Sequence, residues 1–227
     1  MIDLMDEFQE EYGVDSLKNF KAHILRYENH SELRMEILDV GNILSDICEE
    51  IRSVVDNRGL CLMRQIDDSA TVFTDEVVFR KVCSGLLKNA IENTPDEGCI
   101  EILANSNHDS VIIEFRDHGV GIAEENQKQI FSGFFPTQPT GAYMSKKPYA
   151  FNAGGAGVDL LRIKTFADKL NFFVNFESQR CPALLAAGKV CPGKISICTF
   201  TEGQSACQDH GGSTFAVRFP AALKKNC

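Results

Sequence analysis

The chain holds 227 residues, with 23 Lys and Arg against 32 Asp and Glu and a formal net charge of −9, a balance that argues against a broad nucleic-acid face. That length suits one main domain with an appendage, since domains most often hold about 100–150 residues. No apolar run approaches the ~20 residues of a membrane span, and the acidic start Met1-Ile2-Asp3-Leu4-Met5-Asp6-Glu7 is unlike a signal peptide; with Cys48, Cys61, Cys83, Cys99 and Cys227 scattered through mostly apolar-patterned stretches, a reducing, cytoplasmic setting is expected.

Taken in chain order, Ile2, Met5, Phe8 and Tyr12 recur at helical spacing, and Leu17, Phe20, Ile24 and Tyr27 resume the period after Asp15-Ser16. These stripes predict an N-terminal helical segment over residues 1–38, whose apolar faces serve either its own core or a partner such as a second copy of the chain. From residue 39 to 222 the pattern predicts a second unit: a helix over 41–56, strands over 60–66 and 71–73, and a long helix to 92 capped by Asp75. Strands follow over 99–104 and 111–116 across a turn at 105–109, then a short helix over 124–130 and a loop over 136–153. A helix over 158–170 and strands over 172–177 and 214–219 complete it. Strand pairs without a helix between each argue against a doubly wound parallel sheet, so the expected class is α+β: a two-layer sandwich of helices on a mixed sheet.

Four segments carry chemistry. In Leu86-Leu87-Lys88-Asn89-Ala90-Ile91-Glu92-Asn93 the apolar residues share one helical face, while Asn89 and Asn93, four apart, lie on another, where an amide oxygen can reach a metal. In Asp117-His118-Gly119-Val120-Gly121 a strand ends on a carboxylate, and Gly119 and Gly121 let the backbone run close to a bound group. Phe131 to Phe135 ends a short helix, and the loop beyond it carries Lys146 and Lys147, cations able to reach an anionic ligand. Gly154-Gly155-Ala156-Gly157 opens a helix, offering backbone N–H groups and the positive dipole end to phosphate oxygens. Singly these are a surface amide pair, a turn, a helix end and another turn. Their order is what is informative, and no Walker Gly-x4-Gly-Lys-Ser/Thr pattern competes with them.

The ordered set resembles the N, G1, F and G2 boxes of the sensor histidine kinase catalytic domain, within the superfamily that includes gyrase B, Hsp90 and MutL. This resemblance implies a Bergerat-type ATP-binding fold and assigns roles by position. Asn89 matches the asparagine that coordinates the Mg²⁺ bridging the ATP phosphates, with Asn93 beside it. Asp117 matches the aspartate that accepts a hydrogen bond from the adenine amino group, flanked by Gly119 and Gly121. Phe134 and Phe135 match the aromatic anchor of the ATP lid, Lys146 and Lys147 fall in the lid, and Gly155 and Gly157 match the phosphate-binding glycines. The implied activity is transfer of the ATP γ-phosphoryl group to a histidine. The implied partners are a histidine-bearing helical domain of the parent protein and a response regulator.

Three positions depart from the pattern. Gly85 stands where ATP-hydrolysing relatives carry a water-activating glutamate. Glu92 and Asp159 put negative charge where a basic residue and a glycine are usual, which leaves a nucleotide-binding regulatory module without phosphotransfer as the alternative. His30 and His23 fit an acceptor poorly, because Asn89 follows His30 too soon for the usual helical hairpin, so the acceptor is expected outside this chain. Finally, residues 178–211 form an insert holding Cys181, Cys191, Cys198, Cys207 and His210. A structural Zn²⁺, free thiols or disulfides, and redox sensing all fit these residues, and the spacing lacks a Cys-x2-Cys knuckle.

Overall fold

The computed structural model describes residues 33–131, 148–153, 158–185 and 189–222. Strands β1 (Met35–Asp39), β2 (Cys61–Ile66), β3 (Thr71–Asp75), β4 (Cys99–Ser106), β5 (Ser110–Asp117), β6 (Phe173–Gln179) and β7 (Gly212–Pro220) are interspersed with helices, with β2–β3 and β4–β5 directly consecutive. These are α1 (Val40–Glu50), α2 (Arg52–Asn57), α3 (Glu76–Asn93), α4 (Glu124–Gln127), α5 (Val158–Leu170) and α6 (Gln204–Gln208). Five strands form one mixed sheet in the order β2-β4-β5-β7-β6. Its β2–β4 pair is parallel and the other pairs are antiparallel. β1 and β3 make a separate antiparallel pair, with Ile37 opposite Phe73.

One face of the sheet is apolar by strict alternation. Val111, Ile113 and Phe115 of β5 and Phe215, Val217 and Phe219 of β7 point inward and are almost wholly buried. Against them lie Val82, Leu86 and Ala90 of α3, Leu44 of α1 and Ile163 of α5. Phe219 joins the layers, its ring 5.2 Å from Phe79 and 4.4 Å from Phe172. The expected two-layer α+β sandwich with a mixed sheet is therefore present.

Boundaries follow capping chemistry. Asp75 accepts from the Val78 N–H at 3.0 Å and opens α3, while Asp39 accepts from the Asn42 N–H at 2.8 Å and opens α1. The helix expected over 41–56 is in fact two, divided at Ile51, whose carbonyl accepts from both Val54 and Val55 N–H groups. The helix expected over 124–130 closes after Gln127. β1 lies within the segment read from its pattern as helical, and pairing with β3 supplies the hydrogen bonds that make it a strand. The remaining N-terminal stripes, with His23 and His30, lie outside the described residues.

Candidate functional site

The inward stripe changes character at one end of the sheet. The fourth inward position of β5 is Asp117 rather than an apolar residue, and its neighbours in register are Ser213 of β7 and, one strand further, Ser178 of β6. Asp117 is 2% exposed, and among the described residues no Lys or Arg side chain bonds to it. Its carboxylate accepts from the Gly119 N–H at 3.1 Å. Burial pushes its pKa up to about 7, against the opposing pull of Gly119, Ser213 and His118. A buried carboxylate with no described Lys or Arg bonded to it, at the polar end of an otherwise apolar core, is suited to a donor on a ligand.

The turn after Asp117 holds that end closed. A Cβ on Gly119 would stand 2.1 Å from the Asn93 carbonyl oxygen, and one on Gly121, at φ +64°, would stand 1.8 Å from that of Gln179. Both glycines are thus required by backbone packing against α3 and β6, a reason beyond approach to a ligand. The Val120 N–H donates to the Asn93 carbonyl at 3.2 Å, tying this turn to the last turn of α3.

Along α3, Asn89 and Asn93 are half-buried and share a face. The Asn93 amide donates to the Asn89 carbonyl at 2.8 Å and to its Oδ1 at 3.1 Å, leaving Oδ1 the further acceptor capacity a hard cation needs. Gly85, one turn earlier, sits 3.5 Å by its added-Cβ position from Ile163 Cδ1, so α5 packs closely where a glutamate would otherwise project.

The two acidic departures have partners. Asp159 receives Lys88 Nζ at 3.0 Å and Arg162 Nη1 at 3.0 Å. Glu92 is buried, accepts from the Tyr149 N–H at 3.1 Å and has Lys88 Nζ 3.9 Å away. Burial raises the Glu92 carboxyl above its usual range, opposed by the Tyr149 N–H and Lys88. Its carbonyl also accepts from the Asn152 N–H at 2.7 Å. Glu92 therefore works as an anchor for residues 148–152, the downstream end of the loop that the sequence placed over 136–153.

Arg58 completes that anchor, and nothing in the sequence marks it out. Its guanidinium donates to the carbonyls of Ile91 at 2.7 Å, Tyr149 at 2.8 Å and Thr94 at 2.5 Å, and to Asp96 Oδ1 at 2.7 Å. One side chain thereby binds the end of α3 to the returning loop. Upstream, Phe131 meets the Phe176 ring edge-on at 5.8 Å. Phe134, Phe135, Lys146, Lys147, Gly155 and Gly157 lie outside the described residues.

The insert folds back over the same end. The Cys181 N–H donates to the Val120 carbonyl at 3.0 Å and Arg180 Nη1 to the Gly121 carbonyl at 2.8 Å. Farther on, the Asp96 N–H donates to the Gly193 carbonyl and the Ile195 N–H to the Asp96 carbonyl, while Glu97 accepts from Ser196 and Lys194. Gln208 of α6 receives His118 Nδ1 at 3.1 Å. The cysteines here are free.

Residues 74–223 match the family described as histidine kinase-, DNA gyrase B-, and HSP90-like ATPase. The chain is 28% identical over 147 residues to the autoinducer 2 sensor kinase/phosphatase LuxQ of Vibrio parahaemolyticus, covering 61% of this chain and 15% of that protein. It is 36% identical over 95 residues to the adaptive-response sensory kinase SasA of Rippkaea orientalis, covering 41% of this chain and 24% of that protein. In fold it resembles the catalytic domain of the histidine kinase ThkA in a nucleotide-free form, with a TM-score of 0.58, 18% identity and coverage of 82% of this chain and 95% of that one. It also resembles full-length ShkA in complex with AMPPNP, with a TM-score of 0.59, 18% identity and coverage of 86% and 32%. The chain spans only a minor part, 15% and 24%, of these two curated relatives.

Proposed function

The chain belongs to the histidine kinase-, DNA gyrase B-, and HSP90-like ATPase family as a histidine-kinase-type ATP-binding catalytic domain, and on that premise we propose that it transfers the γ-phosphoryl group of ATP to a histidine outside this chain. The observation that carries the reading is Asp117, a buried carboxylate to which no Lys or Arg among the described residues bonds, at the end of the core where α3 presents Asn89. Its oxygen faces a donor such as the adenine amino group, and guanine offers a carbonyl at that position instead. Asn89, an oxygen donor with unused acceptor capacity, suits Mg²⁺. Bound there with the nucleotide, the metal would supply charge neutralisation on the phosphates.

What this chain's own residues contribute is positioning. Gly119 and Gly121 fix the base end, and Arg58 with Glu92 fixes the returning end of the loop. Gly85 offers no general base for water, which disfavours hydrolysis, whereas an imidazole is already nucleophilic and needs alignment more than activation. The acceptor then belongs to a helical domain of the parent protein, with the N-terminal stripes as a contact to it or to a second copy of the chain. A response regulator follows as the onward partner, supported by the likeness to ThkA, which has been crystallised in complex with the response regulator TrrA. Use of ATP and free thiols together support a cytoplasmic setting.

One observation favours a second reading, a nucleotide-binding regulator without transfer: Lys88, the cation beside Asn89, is already engaged by Asp159 and Glu92. Phosphotransfer separates the two. Supplied with the acceptor hairpin of the parent protein, Mg²⁺ and labelled ATP, the chain is expected to label a histidine there, and Asn89→Ala to abolish labelling. Nucleotide binding with no label on any histidine of the complete parent protein supports the regulator instead.

A further inference from the structure

Among the described residues no group of three or more His, Cys, Asp or Glu is placed to hold a metal ion. Strand register, however, sets two thiols side by side. Cys61 opens β2, Cys99 opens β4, and the two are partners in the parallel ladder. Partners on neighbouring strands stand about 4.8 Å apart and send their side chains to the same face. The next pair, Leu62 and Ile100, fixes which face that is: Ile100 lies in the core beneath the helices, so Cys61 and Cys99 share the opposite one. A disulfide needs Cα atoms about 4.4–6.8 Å apart, a span the register already provides. As the first pair of the ladder, it has strand partners on one side only to resist the small approach of Cβ atoms that bonding requires.

The two thiols differ in access. Cys61 is exposed, whereas Cys99 is 1% exposed. An oxidant therefore meets Cys61 first. Burial pushes the Cys99 thiol up to about 12 and keeps it protonated until its neighbour has reacted. Cys48 and Cys83, by contrast, lie within the apolar core. The backbone around the pair belongs to the Arg58 clamp. The Glu97 N–H donates to the Arg58 carbonyl at 3.0 Å and the Cys61 N–H to the Gly98 carbonyl at 2.8 Å, so the segment from Arg58 to Cys61 runs beside that from Asp96 to Cys99. Arg58 in turn holds the Tyr149 carbonyl.

We propose that Cys61 and Cys99 form a reversible dithiol site, closed to a disulfide by a hydroperoxide, and that closure locks the Arg58 segment to the turn after α3. In the first step the Cys61 sulfur attacks a peroxide oxygen. The O–O bond breaks, an S–O bond forms, and the thiol proton leaves with the departing oxygen as water or an alcohol, giving a sulfenic acid. The Cys99 sulfur then attacks that of Cys61. An S–S bond forms, the S–O bond breaks, and hydroxide leaves with the Cys99 proton as water. The two thiols together lose two electrons, which the peroxide bond accepts. Two molecules of a small thiol reverse the change by exchange and leave as their own disulfide.

The test treats the full chain, reduced, with hydrogen peroxide and without nucleotide, so that its outcome is independent of the ATP site. Intact mass is expected to fall by two hydrogens, and a digest made without reductant to contain Cys61 linked to Cys99, with dithiothreitol restoring both thiols. Cys99→Ser should halt the reaction at a Cys61 sulfenic acid, caught by a dimedone probe, and Cys61→Ser should abolish the linkage. Cys198→Ser, in the insert, should leave it unchanged. In the unsubstituted chain, Cys61 passing to sulfinic acid with no link to Cys99, both thiols staying reduced, or a first disulfide between any other cysteines overturns the proposal, however well the variants fold. Amide exchange over residues 148–152 should slow by at least ~3-fold in the oxidised chain; equal exchange in the two states overturns the lock on the Arg58 segment.

Discussion

At the residue scale the account turns on Asp117. A carboxyl whose folded pKa is raised from 3.8 to about 7 holds its proton more tightly in the folded chain than in the unfolded one. Between those pH values the unfolded chain carries fewer protons at this site. The group's contribution to stability is therefore full below about pH 4 and falls as pH rises through 7. Asp117→Asn removes the buried charge without changing shape. It is expected to leave the ligand-free protein at pH 8 as stable as the parent or more so, by thermal unfolding, while weakening ATP binding by more than ~1 kcal/mol. A variant that loses stability at pH 8 along with affinity would show that the carboxylate serves the fold. Because the charged form is the better acceptor, ATP binding near pH 7 should also release a proton, read as a dependence of calorimetric heat on buffer ionisation enthalpy. Asp117→Asn should abolish that dependence.

At the scale of elements the clamp of Arg58 joins α3 to residues 148–152. Its side chain is only 11% exposed and serves three carbonyls and Asp96. Arg58→Met leaves those acceptors unpaired and is expected to destabilise by roughly 2–4 kcal/mol, read as a lowered urea midpoint. If Tyr149 is held for the nucleotide's sake, the folded variant should also bind ATP more weakly. An unchanged affinity would confine Arg58 to stability.

Legibility in the sequence divides the same way. α3 and α5 were readable because caps and periodicity are local, and α5 spans Val158–Leu170, the range its periodicity predicts. β1 was not, since five residues become a strand only through β3. Asn89 and Asp117 stood out as members of an ordered set, whereas a single Arg58 carries no pattern. Glu92 and Asp159 read as intruding charges until the structure supplied Tyr149, Lys88 and Arg162.

For the whole molecule, the sheet and its helices form a scaffold whose one polar end gathers Asp117, Ser178 and Ser213, with the insert laid across it. The insert's placement was illegible because backbone hydrogen bonds to Val120 and Asp96, and the Gln204 side-chain amide donating to the Glu97 carbonyl, hold it there rather than a periodic apolar face. Gly119→Ala, which sets a methyl 2.1 Å from the Asn93 carbonyl, must part α3 from the turn. It is expected to cost about 1–3 kcal/mol of stability and to weaken nucleotide binding with it; an unaltered melting temperature would mean the turn adapts more freely than its packing implies. The central claim, a base-selective ATP site built on Asp117 and Asn89, is tested most directly by calorimetric titration of the full chain with ATP and with GTP, each with and without Mg²⁺. The account predicts a single saturable site that favours ATP over GTP and tightens with Mg²⁺; no binding, or equal affinity for the two nucleotides, would contradict it.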